Sequence, residues 1–174
     1  MKKEIKMETA VKVPSFAGIH QITGSFDGDH VKCALVVSRF NIELTSKLAR
    51  YAVQALIEHG VKESDITLIW VPGAYEIPAI AGELAKNGHY DAILALGVVV
   101  QGETQHAQLI NEHIALSLGR LSIEYALPVI YEVISAGSLA QAEERCEGEK
   151  KSRGWYAALA ALEMVRVFQS IRKQ

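Results

Sequence analysis

The chain has 174 residues, 49% of them hydrophobic, and its 18 basic and 20 acidic side chains are mixed along its length for a formal charge of -2. That length suits one sizeable core, whereas two would each be marginal. The even charge leaves no footprint for nucleic acid or an anionic membrane surface, so small molecules and protein partners remain.

Residues 1–30, with Pro14, Gly18, Gly24 and Gly28, show no hydrophobic period and read as a tail able to add an edge strand to a neighbour. The opening "MKKEIKMETAVKV" starts basic but never becomes a continuous apolar segment, and no later stretch approaches a membrane span. A soluble, unexported, cytoplasmic protein is expected. Four apolar runs follow: "VKCALVV" (31–37), "ITLIWV" (66–71), "DAILALGVVV" (91–100) and "LPVIYEVI" (127–134). They are rich in Val, Ile and Leu without strict alternation, as parallel strands covered on both faces should be. Cys33 falls inside the first run and suits a buried thiol better than a bridge to distant Cys146, which fits a reducing cytosol.

Between the runs, apolar residues recur at helical spacing, with Leu44, Leu48, Ala52 and Ala55 on one stripe and Ile110, Ile114, Leu118 and Leu121 on another. Gly60 and Gly88 sit where helices should stop. After the fourth run come "SLAQAEERCEG" and a long helix with Ala157, Ala161, Met164 and Phe168 expected on its buried stripe. Strand and helix alternate four times, which predicts an α/β fold with a parallel sheet between two helical layers.

Ligands of such sheets gather beyond the carboxyl ends of the strands, in the loops "SRFN" (38–41), "PGAYEIP" (72–78) and "QGETQH" (101–106) and in the segment after Ile134. Gly102, Glu103 and Thr104 stand at the mouth of a helix, where backbone amides can hold phosphate or carboxylate, or where Thr104 simply caps the helix. Glu103 replaces the lysine of a nucleotide phosphate loop, and no G-x-G-x-x-G is present. His106 falls in the first turn of the same helix, as a proton carrier or as an exposed helix-start histidine. His106 and His113 are seven apart without a third ligand, so no metal site is expected. Phe40 is a stacking platform or a core side chain. Glu76 accepts from ligand hydroxyls or decorates a helix start, and Arg145 clamps phosphate or is solvated.

Six segments, "SRFN", "VPGAYEIP", "LGVVVQGETQH", "PVIYEVI", "EERCEGEKKSRG" and "AALAALEM", stand in the order and spacing of one family. Over residues 16–172 the chain resembles 6,7-dimethyl-8-ribityllumazine synthase, the penultimate enzyme of riboflavin biosynthesis. The resemblance implies a flavodoxin-like three-layer αβα sandwich with a four-stranded parallel sheet, plus an N-terminal tail or edge strand. It implies a tail over 1–15 and a single domain over 16–174. The implied reaction needs no cofactor. It condenses 5-amino-6-ribitylamino-2,4-pyrimidinedione with 3,4-dihydroxy-2-butanone 4-phosphate to the lumazine, phosphate and water. By the same resemblance Phe40 stacks on the pyrimidine beside Asn41, Ala74, Tyr75 and Glu76 hold the ring and ribityl chain, and Val99 and Val100 meet the ring through their backbones. Gly102, Glu103 and Thr104 match the phosphate loop, His106 the proton-transfer histidine and Arg145 the phosphate-binding arginine. Tyr131, Arg145 and Arg153 match positions supplied by a neighbouring subunit, so a homo-oligomer is implied, a pentamer or an icosahedral shell of pentamers, with riboflavin synthase a candidate partner.

The chain departs from the family pattern at Gln101, where arginine is usual, at Ala107 for phenylalanine, Arg153 for lysine and Tyr131 for phenylalanine, and in "EGEKKSRG". Arginine for lysine keeps charge but changes a point donor into a planar fork. Ala107 removes an aromatic beside the site, which predicts looser packing there. Two rival classes follow. One is a non-catalytic lumazine- or flavin-binding container or shell-forming relative, separated by turnover with the two substrates; the other is a flavodoxin-like module holding flavin mononucleotide, separated by a yellow colour that survives dialysis.

Overall fold

A computed structural model describes residues 13–174. Its four strands are β1 (Cys33–Ser38), β2 (Ile66–Val71), β3 (Ala92–Val100) and β4 (Val129–Ala136), joined by helices α1 (Ile42–Glu58), α2 (Ile77–Asn87) and α3 (His106–Glu124), with α4 (Leu139–Cys146) and α5 (Arg153–Arg172) closing the chain. The last strand begins two residues later than its apolar run suggests, because Pro128 has no N–H to give the ladder; its carbonyl instead accepts from Ile93 N at 2.9 Å.

All pairs are parallel, in the order β2-β1-β3-β4. The two central strands are buried almost throughout, which is why their sequences do not alternate. Their side chains nevertheless point alternately to two cores. Cys33, Leu35, Val37, Leu94 and Leu96 meet Ala52, Leu56, Trp155, Ala158 and Leu162 of α1 and α5. Ala34, Val36, Ile93 and Ala95 meet Ile77 and Ala81 of α2 and Ile114 and Leu118 of α3. Each fully buried Leu or Ile contributes roughly 1.5–3 kcal/mol. A smaller cluster of Leu44, Leu48, Val98, Ile134, Ala142 and Cys146 seats α4. Burial pushes both free thiols, Cys33 and Cys146, up to about 12, so neither is a ready nucleophile.

The expected stripe of α5 is corrected at its far end. Ala157 and Ala161 are buried as predicted, but Met164 is 39% exposed and Phe168 only half-buried, beneath the Arg172 guanidinium. The buried face runs instead through Trp155, Ala158, Leu162 and Val165, following the line along which α5 crosses α1 and the sheet. That crossing is tight at Gly154, where a Cβ would stand 2.1 Å from Leu48 O. Gly60 and Gly88 both take positive φ at helix ends, 97° and 68°.

Residues 13–32 contribute no strand to this sheet, and the rest of the expected tail, residues 1–12, lies outside the described residues. Arg166 on α5 holds the segment before β1, donating to Asp27 O at 2.9 Å and Asp29 O at 2.7 Å. Among the described residues no helix is long and apolar enough to cross a membrane. Because β1 leads to β2 on one side and β3 to β4 on the other, the connections diverge between β1 and β3 and leave a crevice at their carboxyl ends.

Candidate active site

Three loops close on that crevice. The first follows β1, where Arg39 N donates to Val71 O at 2.8 Å and Phe40 N to Pro72 O at 3.1 Å, fastening it to the loop after β2. Asn41 then turns left-handed, φ 60°, a conformation that asparagine tolerates, and its Nδ2 donates to Val98 O at 3.0 Å. This bond ties the turn to β3 and commits one edge of the Asn41 amide to structure. With its backbone so held, the Phe40 ring stands 70% exposed over the crevice and is not a core side chain.

In the second loop Pro72 and Gly73 turn the chain into a single 3-10 turn, Ala74–Glu76, that leads into α2. Glu76 Oε2 accepts from Gly73 N at 2.8 Å, leaving its other oxygen toward solvent. Tyr75 is stacked on His113 of α3, ring centroids 4.4 Å apart.

The third loop runs from Gln101 to Gln105. Gln101 N still donates to Ala136 O at 2.8 Å, extending the ladder one residue past β3. Beyond it the chain leaves the sheet and α3 starts at His106 with Gln105 as the flanking residue, so Thr104 is not the cap; its hydroxyl is 3.5 Å from His106 N. Among the described residues, the amides of Gly102, Glu103, Thr104 and Gln105 donate to no protein acceptor. Such a run of unused N–H groups at a helix mouth suits an anion.

The three loops enclose a cavity of about 400 Å³ lined by Phe40, Ala74, Tyr75, Val99, Val100, Gly102, Thr104 and His106, each a site candidate from the sequence. Gly73, Val98, Ala107 and Ile110 complete it. Ile110 lies one helical turn past His106, a spacing that could have identified it. Asn41, Glu76 and Glu103 are sequence neighbours of lining residues and border the cavity without lining it. The walls are mainly apolar with few polar groups, as in small-molecule sites generally. Among the described residues no three His, Cys, Asp or Glu side chains gather as metal ligands.

The 6,7-dimethyl-8-ribityllumazine synthase family model matches residues 30–169. The 6,7-dimethyl-8-ribityllumazine synthase of Aquifex aeolicus (strain VF5) is 40% identical over 149 residues, 86% of this chain and 97% of the relative. The chain belongs to the 6,7-dimethyl-8-ribityllumazine synthase family.

A further three residues that the lumazine synthase resemblance brought forward, Tyr131, Arg145 and Arg153, do not line the cavity of their own chain either. Arg145, on α4, is exposed and among the described residues donates only to Gln141 O, at 3.2 Å. Tyr131 is 39% exposed on β4, the outer strand, and burial together with the neighbouring Glu132 carboxylate raises its phenol above the ordinary value. Arg153 opens α5 and is engaged by Glu132.

Proposed function

We infer that the cavity condenses 5-amino-6-ribitylamino-2,4-pyrimidinedione with 3,4-dihydroxy-2-butanone 4-phosphate to 6,7-dimethyl-8-ribityllumazine, a transferase step of riboflavin biosynthesis. One observation carries the assignment of roles: an exposed aromatic face, a row of unused amides and an imidazole converge on one cavity. No observation favours a non-catalytic container.

The reaction needs an amine to attack a ketone, water to leave, a proton to be lost, phosphate to be expelled and a ring to close with loss of a second water. Positioning and proton transfer supply most of what these steps require. Phe40 offers a face to the pyrimidine, the backbones of Val99 and Val100 meet its edge, and the free oxygen of Glu76 accepts from ribityl hydroxyls with Ala74, Tyr75 and Asn41 shaping the approach. The Gly102, Glu103 and Thr104 amides hold the phosphate. His106, at the start of α3 beside them, carries protons between the reactants.

The site is completed by a second subunit that brings Tyr131, Arg145 and Arg153, with residues 16–174 as the catalytic domain. Their absence from the lining of their own cavity supports this. So does α3, which exposes Leu109, Leu116 and Ile123, seven residues apart, at 63%, 76% and 85%. An apolar stripe of that period suits helix packing between copies. Strand β2 is an open edge with Leu68 and Trp70 exposed, where a neighbour's N-terminal segment would pair. Head-to-tail contacts of this kind close into a ring, a pentamer, able to build icosahedral shells in the cytoplasm and to meet riboflavin synthase. Purified protein given both substrates should develop the lumazine absorbance; none under conditions where the oligomer is intact would overturn the assignment.

A further inference from the structure

We propose that Gln101 is a positioning residue whose side chain folds the 102–105 loop into its anion-holding shape; the proposal rests on the assignment of that loop to the substrate phosphate. Gln101 Nε2 donates to Gly102 O at 3.0 Å and to Thr104 O at 2.8 Å. One side-chain nitrogen therefore joins two carbonyls of the loop across its turn.

A trans peptide is planar and its C=O and N–H point in opposite directions. Holding Gly102 O thus fixes the peptide whose N–H belongs to Glu103, and holding Thr104 O fixes the one whose N–H belongs to Gln105. Both amides are turned away from Gln101 and, among the described residues, left without a protein acceptor. Little else holds the loop. Residues 101–106 are all exposed, a Cβ at Gly102 would meet nothing within 4 Å, and the Thr104 hydroxyl lies at the limit of reach from His106 N. Gln101 itself is anchored by its backbone bond to Ala136 O. A donor aimed in advance at an anion avoids the ordering cost on binding. Because the amide is neutral, Gln101 acts through the backbone and adds no charge to the site.

Gln101→Met keeps length and neutrality and removes both donors. It should raise the KM for the butanone phosphate, and the inhibition constant of inorganic phosphate, by about 10-fold, with the KM for the pyrimidine within about 2-fold of wild type. Gly102→Asp, for which there is room, sets a carboxylate in the loop and reports on the phosphate assignment itself. If Gly102→Asp weakens phosphate inhibition while Gln101→Met does not, the role of Gln101 is overturned and the loop assignment stands. If Gly102→Asp leaves phosphate inhibition unchanged, both fall. Equal losses for the two substrates in Gln101→Met, with a lowered melting temperature, would reduce Gln101 to a structural residue and also overturn the proposal.

Discussion

Arg153 grips Glu132 with both arms of its guanidinium, Nε to Oε1 at 2.8 Å and Nη2 to Oε2 at 3.0 Å, binding the first turn of α5 to β4. The carboxylate side chain is only 9% exposed and the arginine 45%. Burial raises Glu132 above the ordinary carboxylate value despite the lowering effect of Arg153, while the hydrogen bond to Glu132 raises Arg153. The two shifts pull on the energy of the pair in opposite senses. The desolvation of Glu132 decides the balance, since Arg153 stays charged at any working pH and about half of it remains in water.

Removing the arginine should therefore cost more than the pair contributes. Arg153→Met leaves a buried carboxylate alone and should destabilise by about 2 kcal/mol at neutral pH, whereas Arg153→Met with Glu132→Leu should recover most of it. The pH dependence has a definite sign. A carboxyl whose folded value lies above its unfolded one binds protons more readily in the folded state, so stability falls as pH rises from the unfolded value through the folded one. The melting-temperature deficit of Arg153→Met should shrink as pH is lowered from 7.5 toward 5, near the top of the carboxylate range. A deficit constant over that range would show that Glu132 is not the source.

A second prediction concerns Gly154. A methyl group at this position would press on Leu48 O from 2.1 Å, and the contact is between two backbones, so neither side can yield by rotating a side chain. Gly154→Ala should separate α5 from α1 and lower the melting temperature by about 5–10 °C. A melting curve matching wild type would mean that the helices slide freely, contrary to the packed interface.

The central strands were legible because burial on both faces leaves an unbroken apolar run, and the crevice loops were legible because they sit directly after those runs. The buried stripe of α5 departs from the helical period at Met164 and Phe168 because sequence gives that period but not where the helix leaves the sheet. Glu132 is illegible for a different reason: its partner is 21 residues away, and a lone acid in a strand run carries no sign of the charge that will face it. Gln101 likewise looked like a substitution at a loop start. Only the folded loop shows its amide turned back on two carbonyls.

His106 opens α3 inside the cavity wall, and its ring nitrogens make no hydrogen bond to another side chain or backbone group among the described residues. If it carries protons while Phe40 and the amide loop position the reactants, His106→Ala should reduce turnover by about 10–100-fold, because water can partly replace an imidazole. Both Michaelis constants should move little. Turnover equal to wild type would remove His106 from the mechanism.

Arg145 and Phe40 provide the sharpest test of a site shared between subunits, because Phe40 lines the cavity of its own chain and Arg145 does not. Arg145→Ala should first raise the KM for the butanone phosphate by at least about 10-fold with little effect on the pyrimidine, as expected for a lost bidentate phosphate contact. Phe40→Asp and Arg145→Glu should each be inactive. Unfolded together at equal concentration and refolded, they should form mixed rings in which a site would be repaired when its Phe40 half comes from the Arg145 variant and its Arg145 half from the Phe40 variant. Random mixing gives that pairing at about a quarter of the sites in a head-to-tail ring. Activity near a quarter of wild type is the expected result. Mixed rings verified by mass spectrometry that stay as inactive as their parents would place both residues on one subunit's site and remove the need for a neighbour.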